Sequence, residues 1–460
     1  LPGFPAERVV SVPHHIAHAA SAYHTSGWDD CLVVVIDAMG EAHGVSGYVG
    51  TEGGLEPLRA FSAQDSIGIL YSLITLHLGF DFNSDEYKIM GLAPYGDPKR
   101  YRDFFQKEIV LRDDGSIRIP MLRMNRTRDE RENYLATRAY LDEHLVPVRH
   151  PADDISDAHR DVAAALQACL NDSMQHLCAG FQRTSGKTKL ALAGGVALNC
   201  TANGLLLRSG LFEEVYVQPA AGDDGSALGA ALAVAAKRER IPRRRMPAPL
   251  LGPSYTPRDI DQALAASAAR IKVRSFSSVE ETCASAAQLI AEGRVLAWYR
   301  GRMEFGPRAL GDRSILADPG HPEMRDRINA MVKKREAFRP FAPAVSLEEV
   351  HRWFDVPAGT RLPYMIAVVD VRPEWRAGLP AITHVNGSAR VQTVSAEDNR
   401  DFHALLRAVG ERTGRQMVLN TSFNVKGQPI VNTPTEAIDT FLGTGIDCLF
   451  LENHLVTRAD

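Results

Sequence analysis

A chain of 460 residues, 45% of them hydrophobic, exceeds one ordinary core and points to a globular protein of two or three domains. With 52 Lys and Arg against 56 Asp and Glu, no global basic field draws nucleic acid or an anionic membrane, so any phosphate chemistry rests on local clusters. The six scattered cysteines include no CxxC, which argues against a zinc ribbon or disulfide framework and for a reducing cytoplasm; no apolar run is long enough to cross a bilayer.

The chain opens on Leu1 rather than methionine and enters a strand-like stretch, Arg8 to Pro13, at once, so a missing N-terminal segment is expected. PHHIAHAASAY follows, with His14 and His18 one helical turn apart on a common face. The next apolar run, DCLVVVI, reads as a buried strand and ends at Asp37, which outlines a metal site. The residue after His14 is His15, not the glutamate of a zincin, so hydrolytic zinc is disfavoured, and two packed imidazoles are the bland alternative. VSGYVGTEGGLEPLRAF reads as a hairpin and SIGILYSLITLHLGF as an amphipathic helix. Apolar residues at helical spacing predict a helix from Ile155 to Arg183 with Ser156 as its cap.

KLALAGGVALNC is then a strand running into Gly194 and Gly195, followed by a helix through Arg208, the strand EEVYVQP, and a turn with Asp223 and Asp224 before a small-residue helix. This is an α/β nucleotide-handling order, with ligands expected at the carboxyl ends of strands. Asp223 and Asp224 stand where a metal or phosphate would bind, or where a helix is merely capped. The basic, proline-punctuated stretch from Lys237 to Pro257 marks a boundary; the expected division is a first domain at 1–246, a linker at 247–270 and a second domain at 271–460.

The second half carries a helix (CASAAQLIAEG), a strand (RVLAWYR), a helix (RDRINAMVKKREAF), a strand ending in a polar turn (MVLNTSFN) and a closing helix (PTEAIDTFLGTG). Arg308 and Arg313 in FGPRALGDRS, and Lys333, Lys334, Arg335 and Arg339 in VKKREAFRPFAP, suit a polyanion such as triphosphate; a solvated basic helix face is the alternative. Ser422 and Asn424 add a hydroxyl and an amide on a turn after a strand.

The stretches HHIAHA, VVVIDAMGE, EYKIMGLAPYG, LAGGVALN, GDDGSALGAA, GPRALGDRSIL, VKKREAFRPFAP, SARVQTV and LNTSFNVKGQPIV run through the whole chain in the order of one family. It resembles the nodulation-factor and antibiotic O-carbamoyltransferases, which include the enzyme that carbamoylates tobramycin. The resemblance implies an α/β fold in which an actin-like ATPase domain, similar to the universal tRNA threonylcarbamoyl transferase, precedes a YrdC-like α/β domain. It implies metal ligands at His14, His18, Asp37 and Asp223, with Fe(2+) the expected metal. ATP with Mg(2+) and carbamoyl phosphate would meet Arg308, Lys333, Arg339, Arg390, Ser422 and Asn424, and Gly194, Gly195 and Asn199 would line an adenosine pocket. His14, Lys333 and Arg339 would be the catalytic residues, while Lys88 of the EYK motif receives no role. Family members carry roughly a further half-domain of strands at the front.

The implied reaction forms carbamoyl adenylate from carbamoyl phosphate and ATP and passes the carbamoyl group to a hydroxylated small-molecule acceptor. His15 is a candidate base, with packing the alternative. A homodimer is expected, without nucleic acid or membrane partners. Rival readings are a hydrogenase-maturation carbamoyltransferase, which the lack of CxxC disfavours, a tRNA threonylcarbamoyl-type transferase, and a non-catalytic nucleotide-binding protein.

Overall fold

The computed structural model describes residues 5–239, 241, 244–333, 336 and 338–459 and falls into two compact units, Leu1–Met246 and Pro247–Asp460. Lys334 and Arg335 lie outside the described residues. Both units are mixed α/β. No helix among the described residues is long and apolar enough to cross a membrane.

The first unit begins with α1 (His14–Ser26), β1 (Cys31–Gly40), β2 (His43–Thr51), β3 (Gly54–Ser62) and α2 (Ile67–His77). Next come α3 (Glu86–Leu92), α4 (Lys99–Glu108), the small hairpin β4 (Val110–Leu111) and β5 (Ile117–Arg118), α5 (Arg128–Asn133) and α6 (Leu135–His144). It closes with α7 (Asp157–Ser185), β6 (Lys189–Ala193), α8 (Cys200–Arg208), β7 (Glu214–Val217) and α9 (Asp223–Ala236). The sheet order is β3-β2-β1-β6-β7, antiparallel through the hairpin and parallel from β1 to β7. Central β1 is packed by α1, α2 and α7, and its β-branched run Leu32 to Ile36 is wholly buried, as a parallel strand covered by helices requires.

Ser156 caps α7 as expected, its hydroxyl accepting the His159 N–H while the His159 ring returns the bond. α2 is not amphipathic: every residue but Leu76 is buried, because the helix is wedged between β1, α3, α6 and α7. Arg8 to Pro13 forms no strand. A 3-10 turn at Ala6–Arg8 leads into irregular, largely exposed chain, and no described strand lies beside it to complete a ladder.

The second unit runs α10 (Pro257–Ala266), β8 (Ile271–Ser275), α11 (Val279–Ala291), β9 (Leu296–Tyr299), β10 (Arg313–Ala317), α12 (Met324–Ile328), β11 (Ala342–Ser346) and α13 (Val350–Trp353). It continues through β12 (Val368–Asp370), β13 (Ser388–Arg390), β14 (Gln392–Val394), α14 (Arg400–Thr413), β15 (Met417–Ser422), α15 (Pro434–Leu442), β16 (Cys448–Leu451) and β17 (His454–Arg458). Eight strands form one mixed sheet, β14-β11-β15-β10-β9-β16-β17-β8, and β12 pairs separately with β13. Trp298 and Phe450 of the sheet share a core with Ile290 of α11 and Phe402 and Leu405 of α14.

Two expectations are corrected here. Residues 247–270 are not a linker: α10 starts on a Thr256 capping box, buries Ile260 and Leu264, and packs on α15, while the Arg302 guanidinium donates to the carbonyls of Leu251 and Gly252 at 2.9 and 3.0 Å. The helix expected over RDRINAMVKKREAF is shorter, with α12 ending at Ile328 and a single π-turn, Asn329–Lys333, carrying the chain on. Such turns shift the side-chain phase by one residue, which a 3.6-residue period does not anticipate.

α1 and α9 pack backbone to backbone at Gly229, where a Cβ would stand 1.7 Å from the Ala17 carbonyl oxygen. Gly229→Ala is therefore expected to force the helices apart at a cost of about 1–3 kcal/mol. Thermal unfolding of the full chain should show the first unit melting several degrees lower, whereas an unchanged midpoint would mean that the helices part freely.

Candidate functional site

Pro13 gives α1 no side-chain cap. The Glu41 carboxylate, carried on a left-handed residue just after β1 (φ 51°), accepts the His14 N–H at 3.0 Å instead. That bond pins the first turn of α1 beside the end of β1. His14 and His18, one turn apart, then bring their Nε2 atoms to 3.0 Å from each other. Asp37 Oδ2 lies 3.0 Å from His14 Nε2 and 3.8 Å from His18 Nε2. Asp223 Oδ1, in the first turn of α9, is 3.4 Å from both nitrogens. All four ligand atoms fall within 4.8 Å of one another.

Ligands about 2.1 Å from a tetrahedral metal stand about 3.4 Å apart, so this set fits a divalent cation in both spacing and donor type. His18 is inaccessible and Asp37 8% exposed, against 26% for His14 and 76% for Asp223; the site is therefore closed on the β1 side and open on the other. Burial lowers the His18 pKa despite the nearby Asp37 carboxylate and so favours the neutral imidazole that a metal needs. Burial pushes the Asp37 carboxyl up, but the Gly195 N–H, which donates to Asp37 Oδ1 at 3.0 Å, and the His18 ring outweigh it; the net pKa lies below the usual value.

His15 faces elsewhere. Its Nδ1 lies 2.7 Å from Ser46 Oγ on β2, and burial drives its pKa to about 4. Asp224, beside Asp223, is not one of the four clustered ligands. Both acids belong to the first turn of α9 rather than to a loop before it.

The glycine pair joins this centre to the sheet. Gly194 has φ 91°, and a Cβ there would stand 2.3 Å from the Ile36 carbonyl oxygen, so only glycine lets β6 turn this close to β1. Asn199 caps α8 by accepting the Ala202 N–H and exchanges hydrogen bonds with Gln167, so its amide is engaged within the protein. The Lys88 ammonium lies 2.6 Å from Asp85 Oδ2 on the same short helix turn.

In the second unit the structure brings together Lys333, Ser422 and Asn424. Buried Lys333 Nζ donates to the Ser422 carbonyl at 2.6 Å, its hydroxyl at 3.2 Å, the Asn424 carbonyl at 3.1 Å and its Oδ1 at 2.7 Å. Arg339 pairs with Glu336 at 3.6 Å. Arg308 lies half-buried between β9 and β10, and Arg390 ends β13 opposite Val368. Arg313, grouped with Arg308 in the sequence, is instead fully buried, donating to the carbonyls of Arg300, Gly301 and Asp312. Sequence reasoning passed over Glu304, Gln392 and Asn420, all buried and hydrogen-bonded to the segment after Arg308. Their signal was present: Gln392 and Asn420 are amides inside strand-like runs, where a polar side chain needs a partner.

His14→Ala and His18→Ala should each weaken divalent-cation binding by at least about 100-fold in competition with a chelator; wild-type affinity in either would break the ligand set. In chelator, His15 adds a pH dependence. Its folded pKa of about 4 lies below the ordinary 6.5, so stability is full above pH 6.5 and declines as pH falls from 6.5 towards 4 while the unfolded chain takes up the proton. The loss is at most roughly 3 kcal/mol. His15→Gln should flatten this part of the stability profile, and a variant with the wild-type slope would contradict the assignment.

Comparison with known proteins places these two clusters in one frame. The family description "Carbamoyltransferase N-terminus" matches residues 5–232, and "Carbamoyltransferase C-terminus" matches residues 287–458. Nodulation protein NolNO of Sinorhizobium fredii is 41% identical over 454 residues, 98% of this chain and 64% of that protein. Nodulation protein NolO of Bradyrhizobium diazoefficiens is 42% identical over 448 residues, 97% of this chain and 78% of that protein. The 3'-hydroxymethylcephem-O-carbamoyltransferase of Amycolatopsis lactamdurans is 35% identical over 271 residues, 59% of this chain and 49% of that protein. The chain thus spans only part of the length of each of these relatives. With the His14–Asp223 cluster inside the first match and the Lys333 cluster inside the second, the chain belongs to the carbamoyltransferase family.

Proposed function

We propose that this chain is an ATP-dependent O-carbamoyltransferase that activates a carbamoyl group in its second unit and transfers it in its first. The observation that carries the reading is the convergence of two histidines and two aspartates from α1, β1 and α9 on one point, within the segment matched by the carbamoyltransferase N-terminus. In this reading the first unit is of the actin-like ATPase type and the second YrdC-like, and the protein is a cytoplasmic homodimer.

In the second unit, Arg308, Lys333, Arg339 and Arg390 neutralise carbamoyl phosphate and the triphosphate of ATP, the latter with Mg(2+), so that two anions can meet. Four protein oxygens already surround the three N–H donors of Lys333, and a phosphate oxygen arriving there exchanges with one of them. Ser422 and Asn424 then turn their hydroxyl and amide to the same phosphates. Carbamoyl phosphate loses its phosphate to water; an oxygen of the resulting carbamate attacks the α-phosphorus of ATP, giving carbamoyl adenylate and pyrophosphate.

In the first unit, the turn of Gly194, Gly195 and Asn199 at the end of β6 receives the adenosine end of the adenylate. His14, His18, Asp37 and Asp223 hold Fe(2+), which when bound supplies Lewis-acid polarisation at the reacting group. Gly195 orients Asp37 through its N–H, and Glu41 holds His14 at the helix start. The acceptor, a hydroxyl of a natural product such as a glycoside or an antibiotic, would attack the carbamoyl carbon, forming the carbamate ester as the bond to the adenylate phosphate breaks and AMP leaves with release of the hydroxyl proton.

The full chain should exchange labelled pyrophosphate into ATP only when carbamoyl phosphate is present, and exchange that ignores carbamoyl phosphate would sink the reading. Lys333→Met should abolish this exchange. His14→Ala should retain it within a few-fold while losing carbamoyl transfer to any accepted hydroxyl; equal loss of both activities would contradict the division between the units.

A further inference from the structure

Three segments that bear the proposed phosphate contacts of the second unit are tied together by two buried amides. Gln392 of β14 and Asn420 of β15 are 3% and 1% exposed. Asn420 Nδ2 donates to Gln392 Oε1 at 2.9 Å and to the Ala309 carbonyl at 3.3 Å, and Gln392 Nε2 donates to the Leu310 carbonyl at 2.7 Å. From the other side, Glu304 Oε1 accepts the N–H groups of Leu310, Asp312 and Arg313 at 2.7, 2.8 and 3.1 Å. Buried side chains therefore fix both the carbonyls and the amide hydrogens of the chain just after Arg308.

The sequence spacing makes this more than a loop anchor. Arg308 immediately precedes Ala309; Arg390 lies two residues before Gln392; Ser422 lies two residues after Asn420 on the same strand, and residues two apart in a strand share a face. A pair of amides buried inside a sheet is costly, the more so here because Asn420 Oδ1 has no hydrogen-bond partner, and an apolar pair would fill the same space without that cost. The geometry points to Gln392 and Asn420 as positioning residues for phosphate binding: the amide pair sets the relative register of the segments bearing Arg308, Arg390 and Ser422. This inference rests on the carbamoyl-adenylate reading of the second unit.

The test is carbamoyl-phosphate-dependent pyrophosphate exchange by the full chain. Gln392→Met keeps the volume and removes both hydrogen bonds; Asn420→Ser is the second variant should the first fail to fold. Either is expected to lower kcat/KM for carbamoyl phosphate at least about 10-fold with the far-UV spectrum of the wild type, since a displacement of about 1 Å in a positioned group costs up to about 100-fold. Combined with Arg308→Met, Gln392→Met should cost clearly less than the product of the two single losses, because part of its effect passes through Arg308. Losses that multiply in the double variant would reduce the pair to a stabilising contact and overturn the inference. Wild-type kcat/KM in both single variants would also overturn it while leaving the adenylate reading intact. A wild-type chain that shows no carbamoyl-phosphate-dependent exchange would overturn both.

Discussion

Two imidazole nitrogens held 3.0 Å apart, with a carboxylate oxygen 3.0 Å from one of them and another 3.4 Å from both, impose a condition on the whole first unit. Neutral Nε2 atoms at that distance share at most one proton, and two carboxylates crowded beside them repel unless a positive charge lies between. The fold meets the condition by bringing three elements to one point. β1 carries Asp37 to the carboxyl end of the parallel strands, Glu41 caps α1 at His14, and Gly229 lets α9 press against α1 so that Asp223 arrives from the far side. The small-residue character of α9 follows from that contact: a helix meant to approach another backbone this closely cannot carry bulky side chains on the shared face.

The ligand pair His14 and His18 was legible because a helical turn is a local property, and Asp37 because it directly follows a β-branched run that reads as a buried strand, although β1 continues three residues beyond it to Gly40. Asp223 could not be told from Asp224 by position, since which acid of a helix's first turn meets another helix depends on packing between elements far apart in sequence. The same limit explains α2, which has no polar face because other elements surround it, and the N-terminal stretch: Arg8 to Pro13 has strand composition but pairs with no strand among the described residues. The division near residue 246 was visible as a change in composition, yet the following segment folds as part of the second unit, because the periodic Ile260 and Leu264 outweigh the prolines around them.

In the second unit, local sequence located the basic clusters but not their support. Lys333 reaches Ser422 and Asn424 across 89 and 91 residues of sequence, from a π-turn that no helical period foretells. Arg313, which looks equivalent to Arg308 in the sequence, is spent on three backbone carbonyls, with its guanidinium 3.6 Å from the centre of the Tyr299 ring. Charge type alone therefore does not identify a structural arginine; burial and hydrogen-bond partners do. The buried amides Gln392 and Asn420 belong to the supporting layer, where polar groups are retained inside a sheet because they hold other groups in place.

The claim on which the account turns is that the first unit holds a metal through two imidazoles and two carboxylates. X-ray absorption at the iron edge of the anaerobically loaded full chain tests it most directly. The expected spectrum has only nitrogen and oxygen neighbours at about 2.0–2.2 Å, with the outer-shell scattering of two imidazole rings. A sulfur neighbour near about 2.3 Å, or a spectrum without imidazole scattering, would contradict it.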